Sequence, residues 1–309
     1  MNSNNLYWSV FQNLEKEIIN LSNQIHFDDT QIEIYSIKIS ELLIRTVVEV
    51  ESISKELYII NGGLKPDNNE LFFDTDCLNL LETKWLLSRK KIQVTSPNFY
   101  FSLEENQVLT PLKKANKRGS SSSDWLRAYQ AIKHNRAKNL EKGNIKHLIR
   151  ALAGLYILNL YYRDVSFKLE KDASGTNFDT NIGSEIFSVS VHSNQTLSAE
   201  KDYEKNSDFD ECIYLIKPTD NSRTFVQNSL LTVNQKTQER FKANVEKEVE
   251  KRLRQQQDSE DIDINDKIEK IIKKIQSENL IQVARENGQI LQKAFDGLRY
   301  EAVLNRQQY

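Results

Sequence analysis

Apolar positions recur at steps of three and four along most of this chain, the period of helices with one buried face. Tyr7, Val10, Leu14, Ile18, Leu21 and Ile25 predict a helix over 6–25. Ile32, Tyr35, Ile39, Leu42, Thr46, Val50, Ile53 and Leu57 predict a second over 30–60, stopped by Asn61-Gly62-Gly63, residue types that accept a left-handed backbone. A third starts at Asp74 or Thr75, either of which can cap it, and carries Leu78, Leu81, Trp85 and Ile92. Residues 96–123 read as a long connection, of a length that is usually functional or mobile. Asp124 then reads as the N-cap of a helix through Lys138, and another helix covers 144–168. Within the latter, Ala151 to Tyr162 is almost wholly apolar. A spanning helix needs about 20 such residues, so this shorter stretch predicts a buried core helix.

The pattern changes after residue 170. Residues 171–184 are linker-like, and Phe187, Val189 and Val191 alternate with Ser188 and Ser190, which is a strand signal. Cys212 to Ile216 is a second short strand candidate. Helical periodicity returns over 235–255 and 265–305, with stripes Phe241, Val245, Val249, Leu253, then Ile264, Ile268, Ile271, Ile275, then Leu291, Phe295, Leu298. The expected class is mainly α, with a helical bundle over 1–170 and a small β element plus a C-terminal helical region over 171–309.

Composition narrows this further. The chain has 309 residues, enough for a real core, with only 9 Gly and 4 Pro, against a low-complexity or turn-dense all-β chain. Cys77 and Cys212 lie far apart and form neither a disulfide framework nor a metal-binding knuckle. The N-terminus lacks a basic region followed by an apolar run, so no signal peptide is expected, and the setting expected is the reducing cytoplasm without membrane attachment. No P-loop, GxGxxG, GxSxG or HExxH stands in the sequence, and the four histidines are scattered; neither cofactor nor metal is expected.

The segment 124–140, DWLRAYQAIKHNRAKNL, carries the candidate chemistry. Residues seven apart on a helix differ in direction by only about 20°. Arg127 and His134 therefore share one face, with Gln130 between them and Trp125, Tyr129 and Ile132 nearly opposite. A histidine near its ordinary pKa moves protons, and an arginine fork grips phosphate oxygens. The pair suits attack of an RNA 2′-hydroxyl on the adjacent phosphate, with the arginine stabilising the developing charge and no metal required. A solvated or interface histidine is the plainer alternative.

The net charge of −2 looks hostile to nucleic acid until it is divided. From Glu105 to Arg150 there are eleven Lys and Arg against three acids, a local +8 set against −10 elsewhere. Lys113, Lys114, Lys117 and Arg118 precede the Arg–His helix, and Lys133, Asn135 and Arg136 lie within it. Such a stretch is the footprint of an RNA site, or else of a solvated loop or an acidic protein partner. On the helical wheel Arg136 falls near Trp125 and Tyr129, so it either stacks there or reaches phosphate. Glu51 and Lys55, four apart in the favourable order, read as a salt bridge before they read as supporting catalytic groups.

Residues Trp125 to Arg136 resemble the signature helix of the HEPN superfamily, an arginine followed after four to six residues by a histidine; Arg127 and His134 fit with six between. SIKISELLIRTVVEVESISKELY (36–58) and NIKHLIRALAGLYILNLYY (144–162) resemble the helices before and after it, so the likeness covers about residues 30–168. The resemblance implies an antiparallel helical bundle, here with a small β element and a C-terminal helical extension. It implies a homodimer that joins two Arg–His pairs, and a metal-independent endoribonuclease of a toxin–antitoxin or phage-defence system. Arg127 and His134 would then be catalytic and RNA the substrate, with a cognate antitoxin or defence-complex protein as partner. Active members often carry a polar residue after the arginine; here it is Ala128. That departure suits the alternative, a non-catalytic dimer of the same fold that binds RNA, a nucleotide or a protein.

Overall fold

The computed structural model describes residues 6–65, 70–193, 205–255, 272, 273, 277 and 287–309. Helices dominate the described residues, accompanied by three small sheets. Helix α1 (Leu6–Ser22) buries Tyr7, Leu14, Ile18 and Leu21 of the predicted stripe, but Val10 is only half-buried and Phe11, outside that stripe, is completely buried instead. Helix α2 (Ile37–Ile60) starts later than its apolar pattern suggests, because Ser36 takes the N-cap and accepts from the Ile39 amide at 3.1 Å. Ahead of it the Asp28 carboxylate accepts from the amides of Thr30 and Gln31 at 2.9 and 2.8 Å, which fixes a turn where a helix was expected. Asn61 caps the far end, and Gly62 follows at φ 87°, as the Asn-Gly-Gly signal implies.

The expected third helix is shorter. A π turn over Phe73–Leu78 leads into α3 (Asn79–Trp85), which stops at Leu86 in the left-handed region, φ 51°. Ile92 therefore belongs to strand β2 (Ile92–Val94). Asp74 does not cap α3; its carboxylate accepts from the Thr75 amide and from Arg118.

The connection over 96–123 is structured. It contains β3 (Phe99–Tyr100), a single turn α4 (Glu104–Gln107) and β4 (Val108–Leu109). Strand β3 pairs in parallel with β1 (Phe27–Asp28), and β4 pairs antiparallel with β2. One carboxylate ties the turn down. Asp29 accepts from the amide and hydroxyl of Ser102, both at 2.7 Å, from the Leu103 amide at 3.0 Å, and from the Asn106 side chain at 2.8 Å. Those donors hold its pKa down at about 2.

Helix α5 (Asp124–Asn139) has Ser123 at its N-cap position. Asp124, expected there, is instead the first helical residue and pairs with Arg150 of α6 (Ile145–Arg163). Helix α6 is capped by Asn144, whose side chain accepts from the His147 amide at 3.1 Å. Every residue from Ala151 to Tyr161 is buried, so α6 is the centre on which α1, α2 and α5 pack. A side chain at Gly154 would press on Leu112, 3.3 Å from its added Cβ.

The alternation at 187–191 divides between two sheets. Strand β6 (Phe187–Val189) pairs with β2, and β7 (Val191–Ser193) pairs with β8 (Tyr214–Pro218). Helix α7 (Asp220–Gln255) begins well before the expected residue 235. Ile264, Ile268, Ile271 and Ile275 lie outside the described residues, as do the side chains of Val249 and Leu253. Residues 287–296 form α8, but the chain then extends into strand β9 (Tyr300–Leu304) where helix was expected. Tyr300, Ala302 and Leu304 point inward with period two, a signal too short to stand out beside the preceding stripe. Strand β9 lies between β8 and β5 (Phe167–Glu170), so strands from both sides of residue 170 share this sheet, as β2 and β6 share another. The Tyr161 hydroxyl donates to the Asn305 carbonyl at 2.7 Å, and one apolar cluster runs from α1 to β9. Among the described residues no helix is long and apolar enough to cross a membrane.

Candidate functional site

Helix α5 sorts its residues as the wheel predicts through its first three turns. Trp125, Leu126, Ala128, Tyr129 and Ile132 are buried, and Arg127, Gln130, Lys133 and His134 are exposed. The indole of Trp125 anchors the first turn by donating to the Pro111 carbonyl at 2.8 Å. The four polar side chains line a cleft of about 620 Å³, together with Glu51 and Lys55 of α2. The segment Leu71 to Asp74 and residues Arg118, Gly119, Ser122 and Leu126 complete the lining. Sequence-predicted residues 76 positions apart, Glu51 and Arg127, thus meet at one site, because α2 and α5 pack on one another.

Within the cleft, Arg127 Nη1 donates to the Ser120 carbonyl at 3.0 Å, which ties the guanidinium to the turn preceding the helix. The His134 ring is exposed and makes no hydrogen bond to a described protein group. The Lys133 ammonium lies 5.3 Å from the centre of the Tyr129 ring. Burial pushes the Tyr129 phenol up to about 12, and the neighbouring Glu51 carboxylate adds to the shift. Glu51 therefore faces α5. It does not close an ion pair with Lys55 within 4.0 Å, so the local i, i+4 pairing gives way to tertiary contact. Burial likewise pushes the Cys77 thiol up to about 12, with Lys55 acting in the opposite direction.

The helix breaks immediately after His134. Asn135 adopts φ −153° and ψ 81°, well outside helical values. Asn139 spans the break, its amide donating to the carbonyls of Ala131 at 3.2 Å and Asn135 at 2.8 Å. Wheel positions beyond the break are therefore shifted. Arg136 is exposed and away from the buried Trp125 and Tyr129, and the cation near the Tyr129 ring is Lys133. Asn135 and Arg136 do not line the cleft, and Asn135 instead accepts from the Lys138 amide at 3.3 Å.

The basic stretch is only partly free. Arg118 pairs with Asp74, Lys142 with Glu141, Lys146 with Glu33 and Arg150 with Asp124. Among the described residues Lys113, Lys114, Lys117, Arg127, Lys133, Arg136 and Lys138 form no ion pair. Lys113, Lys114 and Lys117 stand exposed on successive turns outside the cleft lining, with Lys114 at φ 64°. Of the expected RNA-contacting set, only Arg118 and Lys133 line the cleft itself. Phe72 and Asp74 join the site without having been expected. Their signal was faint: an apolar run, Leu71-Phe72-Phe73, running into Asp74-Thr75-Asp76.

Among the described residues no three His, Cys, Asp or Glu side chains cluster to hold a metal ion. The cleft thus offers cations, an imidazole open to solvent and two carboxylates, Glu51 and the Arg118-paired Asp74, a set able to bind a phosphodiester and move protons. The chain matches no family model, no curated protein and no solved structure.

Proposed function

We propose that this protein is a HEPN-like, metal-independent endoribonuclease that uses Arg127 and His134, acting as a toxin or phage-defence effector. The observation that carries the reading is the opening of both side chains, two helical turns apart, into one solvent-accessible cleft. In the proposed reaction the RNA 2′-oxygen attacks the adjacent phosphorus and the 5′-oxygen leaves, giving a 2′,3′-cyclic phosphate. His134 takes the 2′-hydroxyl proton or delivers one to the leaving oxygen. Arg127 stabilises charge on the phosphorane, with Lys133 and Lys55 adding to the field and Gln130 able to hydrogen-bond a phosphate oxygen. Glu51 is the cleft-lining carboxylate on the facing helix that can serve the other proton transfer. A homodimer would bring a second pair to the same RNA, and Lys113, Lys114 and Lys117 would attract the strand from outside the cleft.

The test is incubation of the purified chain with RNA in the presence of a chelator. Cleavage ending in a 2′,3′-cyclic phosphate, abolished in His134→Ala, is the expected result. Robust cleavage that survives His134→Ala overturns the mechanism.

A second reading is favoured by one residue. Ala128, the position after the arginine, is 2% exposed, so it faces the core and a polar side chain there would not reach the cleft. On this reading the same fold is a non-catalytic dimer that binds RNA, a nucleotide or a protein partner within a defence or toxin–antitoxin complex. It expects salt-sensitive binding without cleavage of any RNA.

A further inference from the structure

Arg118 is held in a way that a phosphate-gripping arginine is not. Its guanidinium carbon lies 3.7 Å from the centre of the Phe72 ring, so the planar group lies close against the aromatic face. Its Nε donates to both oxygens of Asp74 at 2.9 Å. The Asp74 side chain is only 11% exposed, whereas that of Arg118 is 45% exposed. The pairing is strong enough to push the Arg118 pKa up, and it cancels the charge that would attract a phosphate. The Arg118 side chain thus stays partly exposed while Asp74 and Phe72 clamp its guanidinium in place. Phe72 is itself 39% exposed, and both side chains line the same cleft as Arg127 and His134. The π turn at Phe73–Leu78 begins at the next residue, and such turns are frequent where a backbone is re-aimed at a functional site.

We propose that the Arg118–Phe72 pair is a stacking platform for one unpaired RNA base beside the scissile phosphate. Guanidinium planes and aromatic rings are the two surfaces on which proteins stack splayed bases. Bases inside an A-form duplex are covered on both faces by their neighbours and cannot reach such a platform. The chemistry has the same requirement. Attack of a 2′-oxygen needs it in line with the departing 5′-oxygen, a geometry that a regular duplex denies and an unstacked nucleotide reaches. The proposal rests on the RNA reading above and adds the feature of the substrate that the cleft selects, an unstacked nucleotide.

The test uses the full chain carrying His134→Ala, so that RNA is not consumed. It is titrated with a single-stranded oligoribonucleotide carrying 2-aminopurine and with a hairpin that pairs the same sequence. Expected are tighter binding of the single strand and quenching of the fluorophore. Arg118→Lys keeps the charge but loses the plane, and Phe72→Leu keeps apolar bulk but loses the ring; each should weaken single-strand binding roughly tenfold and abolish quenching. Circular dichroism and thermal melting of both variants establish that they are folded. Equal affinity for hairpin and single strand, or quenching that persists in folded Arg118→Lys, overturns the platform while leaving the Arg127–His134 reading intact. Failure of the chain to bind either RNA at low salt overturns both.

Discussion

The guanidinium of Arg127 donates to the carbonyl oxygen of Ser120 at 3.0 Å, seven residues back along the chain. One side chain thereby holds the turn over Gly119–Ser121 against α5 and keeps its remaining donors for the cleft. On the proposed endoribonuclease reading, Arg127→Ala should lower metal-independent RNA cleavage by about 10²–10³-fold, the loss typical of a removed donor to a developing oxyanion. Its stability should fall by only about 1 kcal/mol, the net worth of the hydrogen bond. Arg127→Lys should fall between, since an ammonium does not present a planar fork. Single-turnover cleavage with denaturant unfolding separates the effects; a variant that cleaves normally would remove Arg127 from the reaction.

Asn139 closes the break in α5 by donating to the carbonyls of Ala131 and Asn135. Asn139→Ala should cost about 1 kcal/mol in urea unfolding. Because the break follows His134 directly, the same variant should, on the proposed reading, also reduce cleavage, through the direction of the imidazole rather than its chemistry. The pH profile of the residual activity should keep its wild-type shape. A changed profile would mean that Asn139 acts on the titrating group itself.

How far the sequence exposed this arrangement depended on the range of each contact. The stripes of α1 and α6 were legible because a buried helix face repeats within a few residues, from Leu14 to Leu21 and from Ala151 to Tyr161. Arg127 and His134 were placed on one face by the same local rule, which held until Asn135 left helical geometry. The meeting of Glu51 with Tyr129, and of Asp74 with Arg118, depends on how α2 and the 71–74 segment pack on α5, and no local period encodes that. Strand β9 was hidden for a related reason. Its inward residues alternate over only five positions, and its place between β5 and β8 is set by partners more than 80 residues away.

Asn144 ties the start of α6 to the turn ahead of α2. Its side-chain oxygen accepts from the His147 amide at 3.1 Å, and its amide donates to Glu33 at 2.6 Å, ahead of α2. Asn144→Ala removes both, at a site 3% exposed. The expected loss is about 1–2 kcal/mol in chemical denaturation, the usual cost of an N-cap in a partly buried setting. Asn144→Asp keeps the cap but sets a carboxylate against Glu33, so it should recover less than half of that loss. A fully stable Asn144→Ala variant would contradict the capping role.

Lys90 is completely buried, and its ammonium meets only the backbone carbonyls of Asp210 and Cys212, at 2.9 and 3.0 Å. The Asp210 carboxylate is taken by Arg89 at 2.7 Å. Two carbonyls suit the two N–H donors of a neutral amine. Burial brings the pKa down to about 8, against the partial opposition of Asp210, Cys212 and Glu82. Between this value and the unfolded pKa of about 10.4 the unfolded chain binds more protons than the folded one. Stability contributed at Lys90 therefore rises with pH across that window and is lowest below it. Lys90→Met removes the titrating group while keeping the length of the side chain. Relative to that variant the wild type should gain about 2.5 kcal/mol from pH 8 to pH 10.5, read as the difference between two denaturant titrations. The subtraction matters because buried Tyr156, Tyr161 and Tyr214, whose phenols are pushed up by burial, act in the opposite direction as pH climbs through the ordinary tyrosine range. A difference that stays flat across the window would show that Lys90 keeps its ordinary pKa despite its burial.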